Sequence, residues 1–146
     1  MMEEVRKLRE ETGAGVMECK RALEEAGGDR RRAVEIIRER GYAKAEKKAD
    51  RVAGSGLIVA YVHNDRIGAL LELRCETDFV AHTDAFRELA KNVAMQVAAT
   101  GVETVEELLA SAYIKDPART VADLVTEAVA RMGENTIVRR FVRYAL

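Results

Sequence analysis

Two short apolar runs, residues 57–62 and 67–73, constrain the fold most, because only the four polar residues 63–66 separate them. Two such runs joined by so short a polar connection are typical of a β-hairpin. Residues 136–144 are again rich in Ile, Val, Phe and Tyr, the composition of a strand. The sequence therefore predicts a small antiparallel sheet.

Helical patterns lie between the hairpin and the final strand. Apolar residues recur at helical spacing over 86–97, more briefly over 105–109, and again over 121–132. Their order, two strands, several helices and a strand, favours an α+β core over residues 55–146 in which helices cover a short antiparallel sheet.

The first 41 residues show a different pattern, in which glycines interrupt short helical segments. Breaks near Gly13 and Gly27 predict three helices over residues 1–41, with the third helix ending at Gly41. Residues 42–54 are rich in charge and helix formers but have no wide apolar stripe, which predicts a solvated helical linker.

The charge balance excludes several classes of protein. The chain of 146 residues carries 24 basic and 25 acidic side chains, a net charge of −1, without the strongly basic character of a dedicated nucleic-acid binder. With 34% charged residues it is not a membrane protein by composition. The N-terminus has no apolar export signal, and Cys19 and Cys75 form no disulfide or zinc pattern, so we expect a cytoplasmic protein.

No set of residues typical of catalysis is apparent. The two histidines, His63 and His82, have no cysteine beside them in sequence, and no phosphate-binding loop motif is present. The Gly13–Gly15 segment falls between two helical patterns and is better explained as a turn than as a phosphate loop. The sequence predicts no catalytic residue, no metal site and no cofactor.

The segment Thr77-Asp78-Phe79-Val80 is unusual because it places an aromatic residue beside a carboxylate where a strand passes into a helix. Connecting loops often carry functional residues. A structural explanation is also open, with Asp78 capping the next helix and Phe79 covering the local core.

Three blocks of the sequence resemble one known family. Residues 8–23 (LREETGAGVMECKRAL), 72–81 (ELRCETDFVA) and 133–141 (GENTIVRRF) are similar to signatures of bacterial translation elongation factor Ts, and they occur in the family's order. The resemblance covers nearly the whole chain.

This resemblance implies a fold and an activity. Residues 1–41 would form a ubiquitin-associated-like (UBA-like) three-helix module, and residues 55–146 the core that grips elongation factor Tu. The family's activity is guanine-nucleotide exchange, in which the factor expels GDP from the GTPase and requires neither covalent chemistry nor a cofactor. The implied partner is elongation factor Tu, both GDP-bound and nucleotide-free, with no direct contact to nucleic acid or membrane.

The resemblance also implies site residues. Asp78 and Phe79 would insert between two helices of the Tu nucleotide domain, while Thr77 and Val80 shape their loop. Secondary contacts would come from four residues of the N-terminal module, namely Arg9, Val16, Met17 and Lys20, and for Val16 and Met17 a place in the core is an equally open explanation.

The chain departs from longer members of that family in having only a short bridge at residues 101–118. Because one short core offers a limited grip on Tu, we expect the chain to pair with itself as a homodimer.

Two alternative functions stay open. One is a peptide-binding module on residues 1–41 without exchange activity. The other is an RNA-associated protein using Lys44, Lys47, Lys48 and the C-terminal arginines, against which the near-neutral net charge argues.

Overall fold

The computed structural model describes residues 1–146 and contains seven helices and five strands. In chain order they are α1 (Met2–Thr12), α2 (Val16–Glu25), α3 (Arg30–Lys48), β1 (Ser55–His63), β2 (Ile67–Cys75), α4 (Asp78–Ala81), α5 (Asp84–Thr100), α6 (Val105–Ala110), β3 (Ala112–Tyr113), β4 (Asp116–Thr120), α7 (Val121–Met132) and β5 (Ile137–Ala145). The expected α+β class, with three N-terminal helices before a small antiparallel sheet covered by helices, is confirmed.

Helices α1, α2 and α3 enclose a small core of their own, with nine buried residues that include Leu8, Leu23 and Ile36. Gly13 ends α1 with a φ of 71°, a left-handed conformation that favours glycine. Asp29 caps α3, where its side chain accepts hydrogen bonds from the backbone N–H groups of Arg31 and Arg32. These local signals explain why three short helices form here.

The prediction that the third helix ends at Gly41 is wrong, because α3 continues to Lys48. Gly41 lies where α3 crosses α7, and a Cβ atom built on it would come within 3.2 Å of the Ala130 Cβ. The glycine therefore allows two helices to approach closely rather than stopping one. The first half of the expected linker is thus an extension of α3, a helix that packs against α7.

The main sheet has the order β1-β2-β5 and is antiparallel throughout, with a register shift between Glu72 and Leu73. Alternate residues of β2, including Leu71 and Leu73, are buried against α5 and its neighbours. Phe86 of α5 is fully buried in the same 16-residue core. The opposite face of the sheet has no covering element.

The bridge at residues 101–118 contains a small hairpin that the sequence patterns did not predict. After the expected helix α6, the two-residue strand β3 pairs with β4, which contains Pro117. Gln96 of α5 is fully buried and holds this small hairpin, since its amide donates to the Ala112 carbonyl (2.8 Å) and its carbonyl accepts from the Ile114 N–H (3.0 Å). The bridge is therefore anchored to the main core.

Contacts with α7 hold the N-terminal helices on the core. Arg131 Nε donates to the Thr12 carbonyl oxygen (2.8 Å), and the Tyr42 hydroxyl donates to Asp123 Oδ1 (2.9 Å). These bonds fix the α1–α2 turn and the middle of α3 against the same helix.

Candidate functional site

The most distinctive surface feature is the turn formed by residues 77–81, which we call the motif turn. It follows β2 and contains α4, a helix of one turn. Thr77 is its N-cap, and the Thr77 hydroxyl oxygen accepts a hydrogen bond from the Val80 N–H at 3.3 Å. Because so short a helix has little stability of its own, its position depends on such caps and on its neighbours.

Phe79 projects from this turn into solvent, with 83% of its surface exposed. Val80 and Ala81, next in the chain, are buried in the main core. The interpretation of Phe79 as a cover over the local core is therefore wrong, as is that of Asp78 as the helix cap, because Thr77 fills that position. Burial of Val80 anchors the turn while Phe79 stays free.

Asp78 is exposed beside Phe79, and its carboxylate accepts a hydrogen bond from the Ser55 hydroxyl at the start of β1. His82 follows the turn, with its Nδ1 2.7 Å from the Asp78 carbonyl oxygen. A shallow groove lies next to Asp78 and is rimmed by Ile58 and Arg74. The turn thus presents a carboxylate and an aromatic ring side by side.

A second segment, residues 134–135, forms hydrogen bonds with the end of β2 and the first residue of the motif turn. Glu134 Oε1 accepts from the backbone N–H groups of Glu76 (3.1 Å) and Thr77 (3.0 Å), and its Oε2 accepts from the Thr77 hydroxyl (2.7 Å). In return, Glu76 Oε2 accepts from the Asn135 N–H at 2.7 Å. Sequence reasoning missed this pairing, although Glu134 follows a helix-ending glycine in one of the quoted blocks.

Asn135 extends the same network to the segment before β1. Its buried side-chain amide donates to the carbonyl oxygens of Arg51 (2.8 Å) and Ala49 (3.2 Å). The chain leading into Ser55, the motif turn and the start of β5 are therefore tied together at one place.

Cys75 lies beneath the turn and donates from Sγ to the Thr77 carbonyl oxygen at 3.2 Å. Burial raises the pKa of the Cys75 thiol, and the nearby Glu134 carboxylate adds to this effect. A thiol with a raised pKa forms little thiolate and is a poor nucleophile. Cys75 is therefore suited to packing under the turn.

The four secondary residues all lie on the surface of the N-terminal helices. Arg9 and Lys20 are exposed on α1 and α2, and Val16 and Met17 are exposed at the start of α2, which places neither of them in the core. No hydrogen bond or ion pair joins these residues to the motif turn. The two sets are thus separate surfaces, one on each part of the molecule.

The structure contains no group of three or more His, Cys, Asp or Glu side chains arranged to hold a metal ion. None of its helices is both long and apolar enough to cross a membrane.

Comparison with known proteins points to one family. The family model described as "Elongation factor TS" matches residues 76–146, which begin one residue before the motif turn. Elongation factor Ts of Thermodesulfovibrio yellowstonii is 41% identical over 96% of this chain and 92% of its own length. Elongation factor Ts of Thermotoga petrophila is 44% identical over 99% of this chain and 95% of its own length.

Length differs between these proteins. The alignment with the Thermodesulfovibrio protein spans 184 positions against the 146 residues of this chain, so that relative contains residues that this chain lacks. Elongation factor Ts of Clostridium acetobutylicum is 49% identical over 97% of this chain, which corresponds to 46% of its own length.

Proposed function

Since this chain belongs to the elongation factor Ts family of translation elongation factors, we propose that it is a guanine-nucleotide exchange factor for elongation factor Tu. In this proposal residues 1–41 are the UBA-like module, residues 42–54 the connecting segment and residues 55–146 the core that grips the GTPase. The chain acts in the cytoplasm on GDP-bound Tu and leaves it nucleotide-free.

The observation that carries the proposal is the exposed ring of Phe79 on a turn that is held from both sides. Burying a Phe side chain fully gains roughly 1.5–3 kcal/mol. Phe79 obtains that gain only when the partner's helices separate to admit it, so its burial favours the Tu conformation that holds GDP weakly. Asp78, exposed beside it, adds a negative charge and directional hydrogen bonds at the same place.

The size of the effect follows from thermodynamic linkage. When the exchange factor is bound to Tu, the affinity of Tu for GDP falls by a certain ratio. Bound GDP lowers the affinity of Tu for the exchange factor by the same ratio. At about 1.36 kcal/mol per tenfold, one Phe anchor accounts for roughly one to two powers of ten in GDP affinity. A larger effect needs additional contacts.

We assign those additional contacts to Arg9, Val16, Met17 and Lys20, which are exposed on the N-terminal helices. Arg9 is the best candidate by residue type, because a guanidinium combines planar hydrogen bonding with stacking at interfaces. The proposal needs no bond to be made or broken by the protein itself, so the function is not that of an enzyme and needs no cofactor.

We further propose that the uncovered face of the β1-β2-β5 sheet pairs with a second copy of the chain. Five apolar residues are exposed on this face: Ile58, Val62, Leu70, Val142 and Tyr144. Towards the Cys75 end of β2, Arg74 and Arg140 both bond the Glu72 carboxylate (2.6 and 2.9 Å), so this end of the face carries a small net positive charge. A contiguous apolar face of this kind favours association, and a homodimer offers a shorter chain two sets of Tu contacts.

The dimer is tested by replacing Leu70 with Lys and measuring mass by sedimentation. Leu70→Lys gives a monomer at concentrations where the wild type is dimeric, because it places an unpaired charge in the interface. Ile114→Lys is the matched control, since Ile114 is equally exposed but lies at the β3–β4 turn. A wild type that sediments as a monomer at all concentrations would contradict the dimer.

The exchange function is tested with elongation factor Tu loaded with a fluorescent GDP analogue and a large excess of unlabelled GDP. We expect a substoichiometric amount of this chain to release all of the bound analogue, since an exchange factor acts repeatedly. Binding to Tu without faster release would contradict the proposal and favour the alternative, a peptide-binding module without exchange activity.

A further inference from the structure

We propose that Glu134 is the positioning residue of exchange, which sets the direction in which Phe79 projects. This inference rests on the proposed exchange function and adds to it a residue that touches neither GDP nor the inserted ring. Glu134 lies in the connection between α7 and β5, and its carboxylate binds only the segment that precedes Asp78 and Phe79.

The backbone explains why an anchor is needed at this point. β2 ends at Cys75, so the N–H groups of Glu76 and Thr77 have no strand partner. The Glu76 N–H lies at a partly buried position, where an unpaired donor is costly, whereas the Thr77 N–H is exposed. Glu134 Oε1 accepts from both, and the Thr77 hydroxyl donates to the other carboxylate oxygen of Glu134.

The anchor reaches Phe79 through Thr77. The Thr77 hydroxyl donates to Glu134 and at the same time accepts from the Val80 N–H, so a single oxygen joins Glu134 to the helical turn that carries Phe79. Three hydrogen bonds to one carboxylate define the orientation of that turn far better than one cap alone. Charge-assisted bonds of this type are also the stronger ones.

Arg51 supplies a positive charge to this network through Glu76. The Arg51 Nη1 atom lies 3.8 Å from Glu76 Oε2 and so offsets that carboxylate. Glu134 itself has no ion-pair partner, and its acceptors are filled by the turn. Its carboxylate therefore serves the turn and no other contact.

The test compares Glu134→Ala, Glu134→Gln and a control, Glu88→Ala, which removes an exposed carboxylate of α5. We expect Glu134→Ala to reduce the stimulated rate of GDP release at saturating exchange factor by about tenfold, because the three charged hydrogen bonds that orient the turn are lost together. Glu134→Gln restores most of the rate, because its carbonyl oxygen still accepts from the two N–H groups and its amide donates to the Thr77 hydroxyl. Glu88→Ala behaves as wild type.

A second comparison separates positioning from general loss of structure. If Glu134 acts through Phe79, adding Glu134→Ala to the Phe79→Ala protein causes no further fall in the stimulated rate of GDP release. If the two residues act independently, the rate of the double variant falls by the product of the two single effects. Two results would overturn the proposal. One is a Glu134→Ala protein that stimulates GDP release from Tu at the wild-type rate, and the other is a double variant whose rate falls by the product of the two single effects. Failure of the wild type to accelerate release would instead refute the exchange function itself.

Discussion

The motif turn and the α1–α2 corner, residues 13–17, lie in two of the three blocks of sequence that resemble the family. Different contacts hold them in place. The motif turn is capped by Thr77 and bound by Glu134, and it presents one large ring that is 83% exposed. The corner has Gly15 as the N-cap of α2 without a side-chain hydrogen bond, and it presents the smaller Val16 and Met17. We therefore expect binding energy to concentrate at Phe79 and the corner to add smaller contacts.

The largest expected effect is a difference in the free energy of unfolding between variants of Phe79 and Phe86, which lie seven positions apart in the chain. Phe86→Ala should lower the free energy of unfolding by about 3–5 kcal/mol, because Phe86 is fully buried. Phe79→Ala should change it by less than about 0.5 kcal/mol, as is usual for an exposed residue. Chemical denaturation monitored by circular dichroism measures both values. A strongly destabilised Phe79→Ala protein would mean that the ring supports the fold.

The next prediction concerns how the N-terminal helices are held on the core. Gly41→Leu should destabilise the protein by about 1–3 kcal/mol, since a Cβ at residue 41 already meets Ala130 at 3.2 Å and the rest of the side chain must displace α7. Ala43→Leu is the control, because residue 43 is exposed on the same helix. Equal stability of the two variants in denaturant would show that α3 and α7 tolerate separation.

Asp123 gives a pH dependence of intermediate size. Burial would raise its pKa, but hydrogen bonds from the Thr120 backbone, the Tyr42 hydroxyl and the Thr120 hydroxyl, with the Arg119 charge, outweigh burial and place the pKa below its ordinary value of 3.8. The resulting stability is complete above that ordinary value and is lost as the pH falls through the lower folded-state pKa.

Asp123→Asn keeps the side-chain shape but removes the titrating charge. It should cost about 1 kcal/mol at pH 7, the usual value of a helix cap, and the difference from wild type should shrink below about pH 4. Thermal unfolding between pH 3 and pH 7 measures this difference. A difference that stays constant over that range would contradict the role assigned to the Asp123 carboxylate.

The smallest expected effect comes from the α1–α2 corner. Met17→Ala should slow stimulated GDP release by less than about fivefold, because most interface residues contribute under about 1 kcal/mol. The rate of release of a fluorescent GDP analogue from Tu measures this effect. The control is Glu88→Ala, because Glu88 is exposed on α5, whereas Met132 packs against the main core and its replacement would disturb the fold. A larger loss for Met17→Ala than for Phe79→Ala would reverse the comparison between the two surfaces.

Local sequence patterns were sufficient for most of the fold. The hairpin β1–β2, the amphipathic helices α5 and α7, and the glycine-ended helices follow from periodicity and capping, which depend on neighbouring residues. The extension of α3 beyond Gly41 did not follow, because the reason for that glycine is Ala130, far along the chain.

The site was predictable only in part for the same reason. Residues 77–80 could be nominated from the sequence, but whether Phe79 is buried depends on how β2 and α5 pack. The contacts of Glu134 with Glu76 and Thr77 join residues 58 and 57 positions apart, and no local pattern indicates them. Exposure and long-range hydrogen bonding are therefore what the structure adds.

The most direct test of the exchange mechanism is the rate of fluorescent GDP release from elongation factor Tu with wild-type protein, with Phe79→Ala and with neither. We expect the wild type to accelerate release and the correctly folded Phe79→Ala protein to lose roughly ten- to a hundredfold of that acceleration, the value of one buried Phe. Equal acceleration by the two proteins would contradict insertion of Phe79 as the cause of GDP release.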